Sequence, residues 1–328
     1  MPTARAVRIR EPGDAGVLEI ADLEVRAPGP GEVLVEVAAA GLNRADLLQR
    51  KGFYPAPPGV APDVPGLEYA GTVADAGPDA GMRPGTRVMG ITGGGAMATH
   101  VVVHAREAMR IPGGMSFEDA AAIPEAFLTG YDALFDLGEL RAGEVVLIHA
   151  VGSGVGTAAL QLALVAGATA IGTSRSEEKL ERCAELGLED GIVVDDGTFD
   201  VALKARTAGR AADVILDCVG GAYLEENVRA LAPRGRLVVV GLLGGATGKL
   251  SLGALLAKRA RVIGTVLRSR PLEEKAALAQ AFEARMLPLF ADGRLLPVVG
   301  AVLPMAEIRA AHEAMEKDAT FGKIVLTW

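Results

Sequence analysis

A charge-free stretch near the middle of the chain constrains the fold more strongly than any other feature. From Val145 to Ser174 the sequence contains no Asp, Glu, Lys or Arg, and such a length could cross a membrane. Its first part, VVLIHA, is short and rich in β-branched residues, whereas GTAALQLALVAG consists of helix formers. Glycines interrupt the stretch at Gly152, Gly154, Gly156, Gly167 and Gly172. It therefore predicts a buried strand, a glycine turn and a helix instead of a membrane span.

Strands and helices alternate from about residue 140 to residue 267. The strands are nearly continuous apolar runs such as ADVILDCVG and RLVVVGL, and the helices include SEEKLERCAELG and AYLEENVRALA. This alternation is typical of a parallel sheet that helices cover on both faces. We therefore predict an α/β protein with a doubly wound parallel sheet in this part of the chain.

The two ends of the chain have a different character. Up to about residue 124, strands such as GEVLVEVAAAG and ATHVVVH are separated by Pro and Gly turns, which predicts a compact β-rich domain. After Arg268 follow a charged helix, a second helix and the strand GKIVLTW, and we expect this tail to return to the first domain. The predicted divisions are residues 1–124, 125–267 and 268–328.

Composition argues against several classes of partner. The 328 residues carry a formal net charge of −8, with a pI near 5.2, whereas nucleic-acid binding depends on clustered Lys and Arg. The N-terminus has no apolar core of signal-peptide type, and two distant cysteines, Cys183 and Cys218, suggest reduced thiols. We expect a cytoplasmic protein without nucleic-acid or membrane partners.

The glycine turn HAVGSGVGTAALQLA suggests a phosphate site. It follows a predicted strand and opens a predicted helix, which is where glycines let a backbone approach a pyrophosphate. The spacing is GxGxG instead of the literal GxGxxG, so a tight turn without a ligand is the alternative. The surrounding strand and helix favour a dinucleotide.

The next strand indicates which dinucleotide binds. NAD sites have an acid about 20 residues after the turn, but here the strand ends TSRSEEK, with Ser174 and Arg175 in place of the acid and Lys179 one helical turn later. A hydroxyl and two cations suit a 2′-phosphate, which predicts NADPH. The alternative is a solvated helix start at which Ser176 is the N-cap.

The sequence gives little support for a metal site or for a catalytic nucleophile. His100 and His104 flank VVV, and in a strand they would lie about 13 Å apart, too far to share an ion. His149 and His312 are better explained as structural histidines. The sequence has no HExxH, CxxC pair or GxSxG, so neither metal-dependent hydrolysis nor acyl transfer is expected.

The chain as a whole resembles the medium-chain dehydrogenase/reductase superfamily. The motifs that carry the resemblance are, in order, GLNRADLLQRKGFYPAPPG, VPGLEYAG, AAAIPEAFLTGYDAL, LIHAVGSGVGTAALQLA, VILDCVGG, GRLVVVGLLGG, VLRSR and GKIVL. They resemble most the zinc-free quinone oxidoreductase branch, of the tumour-suppressor-inducible type. The resemblance implies a GroES-like catalytic domain over 1–124, a Rossmann NADPH-binding domain over 125–267 and a segment, 268–328, that returns to the catalytic domain.

The resemblance also implies the loss of zinc. Zinc-dependent members have Cys, His and Cys as ligands where this sequence has Asn43, Leu67 and Glu125. Leucine has no ligand atom, and GITGGGAMATH lacks the cysteines of a structural zinc loop. We therefore expect no metal, and we expect Glu68, beside Leu67, to be a structural acid paired with an arginine.

Site residues follow from the same resemblance. The predicted catalytic residues, near nicotinamide and substrate, are Asn43, Tyr54 and Thr129. The predicted contacts with NADPH are Asn43, Thr129, Gly154, Val155, Ser174, Arg175, Lys179, Gly241, Leu242, Leu243, Gly244, Val266, Leu267, Arg268 and Lys323. Tyr54 is the candidate proton donor or oxyanion partner, and an aromatic wall without acid chemistry is the alternative reading.

The function implied is hydride or single-electron transfer from NADPH to a quinone in a cleft between the two domains. An activated enone or an enoyl thioester is the alternative acceptor, and an NADPH-binding sensor or structural protein with little turnover is the second alternative. The resemblance further implies a homodimer joined through edge strands, for which RVIGTVL is the candidate.

Overall fold

The computed structural model describes residues 3–328. Contacts divide them into two compact units. The first unit consists of the described residues up to Leu128 together with Leu267–Trp328, and the second unit is Thr129–Val266.

Strands dominate the first unit and alternate with helices in the second. The strands in residues 3–328 are β1 (Thr3–Ile9), β2 (Leu18–Glu24), β3 (Glu32–Leu42), β4 (Glu68–Ala76), β5 (Arg87–Ile91), β6 (His100–His104), β7 (Ala108–Arg110), β8 (Val145–Ile148), β9 (Thr169–Ser174), β10 (Asp190–Val193), β11 (Ala212–Asp217), β12 (Leu231–Val239), β13 (Arg261–Gly264), β14 (Val299–Pro304) and β15 (Lys323–Thr327).

The α-helices of the same residues are α1 (Arg44–Arg50), α2 (Phe117–Ala121), α3 (Pro124–Tyr131), α4 (Gly154–Val165), α5 (Glu177–Ala184), α6 (Asp200–Arg206), α7 (Leu224–Ala230), α8 (Leu252–Lys258), α9 (Leu272–Ala291) and α10 (Ile308–Glu316). A π-helix, Asp132–Leu137, follows α3. Short 3-10 turns lie at Ala15–Val17, Ala105–Glu107 and Met305–Glu307.

The first unit is built on a seven-stranded sheet in the order β14-β15-β3-β4-β5-β7, with β6 also paired to β3. Most of its pairs are antiparallel, and β1 and β2 form a separate antiparallel pair. The C-terminal strand β15 lies antiparallel to β3, with Ile324 opposite Leu42. This register brings the start of β15 beside the end of β3, where the candidate site lies.

The second unit contains six parallel strands in the order β10-β9-β8-β11-β12-β13. Numbered within the unit, this is the order 3-2-1-4-5-6 of the Rossmann fold. The predicted α/β class and doubly wound sheet are confirmed. The candidate edge strand is also confirmed as an edge, because among residues 3–328 the one strand that pairs with β13 is β12.

The charge-free stretch divides as predicted into β8, the glycine turn, α4 and β9. All four side chains of β8 are fully buried, and most of α4 is buried too. A helix that is apolar on every side belongs inside a protein core when it is this short. In residues 3–328 we find no helix that combines the length and apolarity needed to span a membrane.

Candidate active site

A buried ion pair links the C-terminal strand β15 to β4 within the first unit's sheet. Lys323 Nζ donates to Leu42 O at 3.0 Å, to Asn43 Oδ1 at 2.6 Å and to Glu68 Oε1. Glu68 is fully buried and Lys323 is 5% exposed. The prediction that an arginine pairs with Glu68 is therefore wrong. The register of β15 on β3 brings Lys323 to Glu68 instead.

The orientation of the Asn43 amide follows from this ion pair. Asn43 Oδ1 accepts from Lys323, so Nδ2 is the donor, and it lies 2.9 Å from Glu68 Oε1 and 3.3 Å from Gly41 O. Both amide hydrogens thus have protein acceptors, as do all three hydrogens of the Lys323 ammonium group. These contacts hold Asn43 and Lys323 in place.

Glu68 and Asp46 connect three further segments of the first unit. Glu68 Oε2 accepts from the Glu125 N–H at 2.8 Å, at the start of α3. Asp46 is buried and accepts from the N–H groups of Asn43 and Gly66, each at 2.8 Å. Burial raises the pKa of Asp46 to about 6. The hydrogen bonds from the two backbone N–H groups oppose this rise.

Glu125 differs from these two carboxylates. Its side chain is partly exposed in the first turn of α3, and it has no hydrogen bond or ion pair with any residue that the structure describes. Burial, and then the negative charge of Glu68, raise the pKa of Glu125 to about 8. At neutral pH this carboxyl group is mainly protonated.

Arg268 orients the segment that carries Tyr54. Its guanidinium group donates to Gly93 O at 2.7 Å, to Tyr54 O at 3.0 Å and to Gln49 Oε1 at 2.5 Å. The guanidinium carbon lies 4.9 Å from the centre of the Tyr54 ring. Arg268 and the preceding Leu267 are both buried, at 5% exposure. The donors of Arg268 therefore fix the backbone of the Tyr54 loop.

The Tyr54 ring is half-buried, and burial raises the pKa of its hydroxyl. Within the described part of the chain the hydroxyl makes no hydrogen bond. The Tyr54 hydroxyl can therefore donate a hydrogen bond to a ligand.

The residues at the positions that the resemblance assigns to zinc ligands do not form a zinc ligand set. Leu67, 2% exposed, contributes no ligand atom, and the Asn43 amide is held by Lys323 and Glu68. Across residues 3–328, no three His, Cys, Asp or Glu side chains lie together as a metal ligand set would. His100 and His104 lie at opposite ends of β6, as predicted.

The start of α4, in the second unit, has the features predicted for a phosphate site. Ser153 is the N-cap, and its Oγ accepts from Gly156 N at 3.0 Å. The N–H groups of Gly154 and Val155 have no acceptor in the part of the chain that the structure describes. A Cβ on Gly156 would lie 2.4 Å from Ala150 O, so only glycine allows this close packing. Free first-turn amides fit an anion such as a pyrophosphate.

The end of β9 carries the residues predicted for the 2′-phosphate. Ser174 is the last residue of β9, and its Oγ accepts from Ser176 N at 3.0 Å. Ser176 is the N-cap of α5 and accepts from Lys179 N, so the predicted N-cap is confirmed, whatever Arg175 binds. Arg175 is exposed and Lys179 partly exposed. A hydroxyl and two cations at the end of the second strand fit a 2′-phosphate.

The other predicted contacts fall into both units. Asn43, Tyr54, Leu267, Arg268 and Lys323 belong to the first unit, and Thr129 and the remaining contacts belong to the second. An exposed loop follows β12 and carries Gly241, Leu242, Leu243 and Gly244. Val266 is 45% exposed at the end of the second unit.

A buried polar chain beneath the glycine turn was not predicted. Asn227 Nδ2 donates to Asp217 Oδ2 at 2.9 Å, so Asn227 Oδ1 must accept from His149 Nε2 at 2.7 Å. His149 Nδ1 then accepts from the Thr173 hydroxyl at 2.9 Å. Burial lowers the pKa of His149, which suits this neutral form. His149 is a structural histidine, as predicted. The roles of Asp217 and Asn227 were not predicted, because Asp217 lies in an apolar run of the sequence and Asn227 follows two acidic residues.

Two family models match the chain. "Alcohol dehydrogenase GroES-like domain" matches residues 29–113, and "Zinc-binding dehydrogenase" matches residues 154–284. The mouse synaptic vesicle membrane protein VAT-1 homolog is 32% identical over 92% of this chain and 77% of its own. The Streptomyces venezuelae pikromycin polyketide synthase component PikAII is 34% identical over the whole chain, which spans 9% of PikAII.

Solved structures match over nearly the full length. A Pseudomonas syringae quinone oxidoreductase is 30% identical, with 99% of this chain and 100% of that one covered and a TM-score of 0.87. The CurK enoyl reductase is 28% identical, with 99% of each chain covered and a TM-score of 0.87. A mycobacterial protein complexed with NADPH is 27% identical, with 99% and 100% covered and a TM-score of 0.87.

The protein belongs to the medium-chain dehydrogenase/reductase superfamily of oxidoreductases. Its GroES-like domain and its Rossmann sheet are those of this superfamily.

Proposed function

We propose that the protein is a zinc-independent, NADPH-dependent quinone oxidoreductase of the tumour-suppressor-inducible type. The observation that carries the proposal is the Lys323–Glu68–Asn43 cluster beside Leu67, because it uses the former zinc position for an ion pair. Without a Lewis acid, the acceptor must already be electrophilic, as a quinone is. NADPH supplies the hydride when it is bound.

The protein's own groups bind and orient in this proposal. The N–H groups of Gly154 and Val155 bind the pyrophosphate, and Arg175 and Lys179 bind the 2′-phosphate. Tyr54, held by Arg268, donates a hydrogen bond to the oxygen on which negative charge develops during reduction.

The acceptor is tested by a screen of NADPH oxidation. Quinones, simple enones and crotonyl thioesters are compared by kcat/KM at equal enzyme concentration. The proposal expects the quinones to give the highest values. Turnover confined to thioesters would contradict it in favour of the enoyl-thioester alternative, which the similarity to CurK enoyl reductase supports. Binding of NADPH without its oxidation by any acceptor would favour the sensor alternative.

Replacing Arg175 by alanine is expected to weaken NADPH binding by about 1.5–3 kcal/mol, the contribution of a hydrogen bond to a charged group. NADH has no 2′-phosphate, so its Kd should barely change. Titration calorimetry with both cofactors measures the difference. Arg182→Ala, another exposed arginine near α5's end, is the control and should alter neither Kd. Equal losses for the two cofactors would refute the assignment.

Replacing Tyr54 by phenylalanine is expected to lower kcat about tenfold while KM for the quinone changes less. The reason is that a hydrogen bond to a developing anion is stronger in the transition state than in the ground state. Steady-state kinetics at saturating NADPH measure both constants. An unchanged kcat would leave Tyr54 as an aromatic wall.

The homodimer is proposed through β13. This strand is an edge of the second unit's sheet, and its Val262 is 38% exposed, whereas proteins usually shield an exposed apolar edge. Sedimentation equilibrium should give twice the chain mass of 33.7 kDa. A monomer at micromolar concentration would contradict the dimer without affecting the chemistry.

A further inference from the structure

We propose that Glu125 is the proton donor of the reduction, a neutral carboxylic acid that protonates the substrate oxygen after hydride transfer. This inference rests on the proposed function and identifies a catalytic residue for it. Three carboxyl groups of the first unit lie around the Lys323 cluster, and the proton donor is the one that retains its proton.

Hydrogen bonds distinguish the three carboxyl groups. Glu68 accepts from Lys323, Asn43 and the Glu125 N–H, and Asp46 accepts from two backbone N–H groups. Such bonds stabilise the ionised form of a carboxylate. Glu125 has no donor of this kind among the described residues, so its negative charge would be the least stabilised of the three.

The local charge balance also disfavours a negative charge on Glu125. Two cations, Lys323 and Arg268, act electrostatically on Glu125. Glu68 and Asp46 together already balance them, so a charge on Glu125 would be an uncompensated third negative charge in a poorly solvated place. The raised pKa of Glu125, about 8, agrees with this balance.

Accessibility makes Glu125 the acid that a substrate can reach. Glu68 and Asp46 are fully buried, while Glu125 is partly exposed. Glu125 lies close enough to Tyr54 for its charge to raise the pKa of the tyrosine. Tyr54 is thus a hydrogen-bond donor but a weak acid, and Glu125 is the stronger acid of the two.

NADPH would supply the hydride, as one of its C–H bonds breaks and it is oxidised to NADP⁺. The acceptor gains the hydride and its two electrons, one of its π bonds breaks, and an oxygen anion results. The O–H bond of Glu125 breaks, and a new O–H bond forms on that oxygen. Glu125 is left as a carboxylate, which water reprotonates before the next turnover.

The test compares Glu125→Gln with the wild type in NADPH oxidation by the best quinone. Glutamine keeps the shape of the side chain, and the backbone N–H to Glu68 is unaffected. We expect kcat to fall about 100-fold at pH 7, within the usual range for losing a general acid. Wild-type kcat should fall as pH rises above about 8, and this limb should be absent in Glu125→Gln.

Several other charged or titratable groups interact electrostatically with Glu125. They are Asp46 of α1, Glu68 of β4, Lys323 of β15, Arg268 before α9 and Tyr54 after α1. The limb is assigned to Glu125 because the substitution that removes it leaves all five groups present. Glu125→Asp keeps an acid and should recover part of kcat together with the limb.

Glu118→Gln is the matched control, because Glu118 is the second residue of α2 as Glu125 is of α3, and both are partly exposed. It should retain wild-type kcat and pH profile. A Glu125→Gln variant that retains kcat and the limb would overturn the proton donor while the proposed function stands. So would a variant whose kcat loss matches a loss of folded protein or of NADPH affinity. A wild-type protein inactive with every acceptor would instead overturn the proposed function.

Discussion

Replacing Lys323 by methionine is expected to lower the free energy of unfolding by about 3–5 kcal/mol, because it leaves a buried carboxylate without its cation. Glu68 is fully buried, and the Lys323 ammonium group also bonds to Leu42 O and Asn43 Oδ1. Methionine approximates the stem of lysine, so the loss reports the charge and its hydrogen bonds more than a cavity. Urea unfolding at pH 7 followed by circular dichroism measures the effect.

Two further variants make this result specific. Lys317→Met changes an exposed lysine of the same unit and should alter stability by no more than about 0.5 kcal/mol. Adding Glu68→Gln to Lys323→Met removes the unpaired charge and should restore part of the loss. A loss below about 1 kcal/mol for Lys323→Met would mean that the ion pair does not hold the C-terminal strand.

The second large effect is a dependence of stability on pH that Glu125 causes. The pKa of Glu125 rises from 4.5 to about 8 on folding, so the folded protein binds this proton more tightly than the unfolded chain. Its contribution to stability is complete below the unfolded pKa and is lost as pH rises through about 8. Between about pH 5 and pH 9 the loss should be about 4 kcal/mol.

Glu125→Gln isolates this contribution because glutamine does not titrate. The difference in free energy of unfolding between Glu125→Gln and the wild type should move in favour of the variant by the same amount as pH rises. Asp46, whose raised pKa acts in the same direction near pH 6, is present in both proteins and cancels. Glu118→Gln should show no such trend. A constant difference across the range would show that Glu125 is ionised normally.

Local features of the fold could be predicted from sequence because local chemistry determines them. The charge-free stretch divides where β-branched residues give way to glycines and then to helix formers. Ser176 caps α5 because a hydroxyl before two glutamates is a common helix start. These features depend on residues only a few positions apart.

Contacts between distant residues could not be predicted in the same way. Lys323 and Glu68 are 255 positions apart, and their meeting depends on how β15 aligns with β3, for which the apolar strand GKIVLTW gives no signal. The protonation of Glu125 depends on the charges around it and is likewise invisible in the sequence. Asp46 was detectable, because an acid three residues after Asn43 at a helix start suggests a cap.

Steady-state oxidation of NADPH by a quinone, on protein whose zinc content is measured in the same sample, tests the central claim most directly. The comparison is made before and after dialysis against a strong chelator. If hydride transfer needs no metal, protein without stoichiometric zinc should turn over, and its kcat should be the same after chelation. One tightly bound zinc ion per chain, with turnover lost on its removal and restored by zinc, would contradict it.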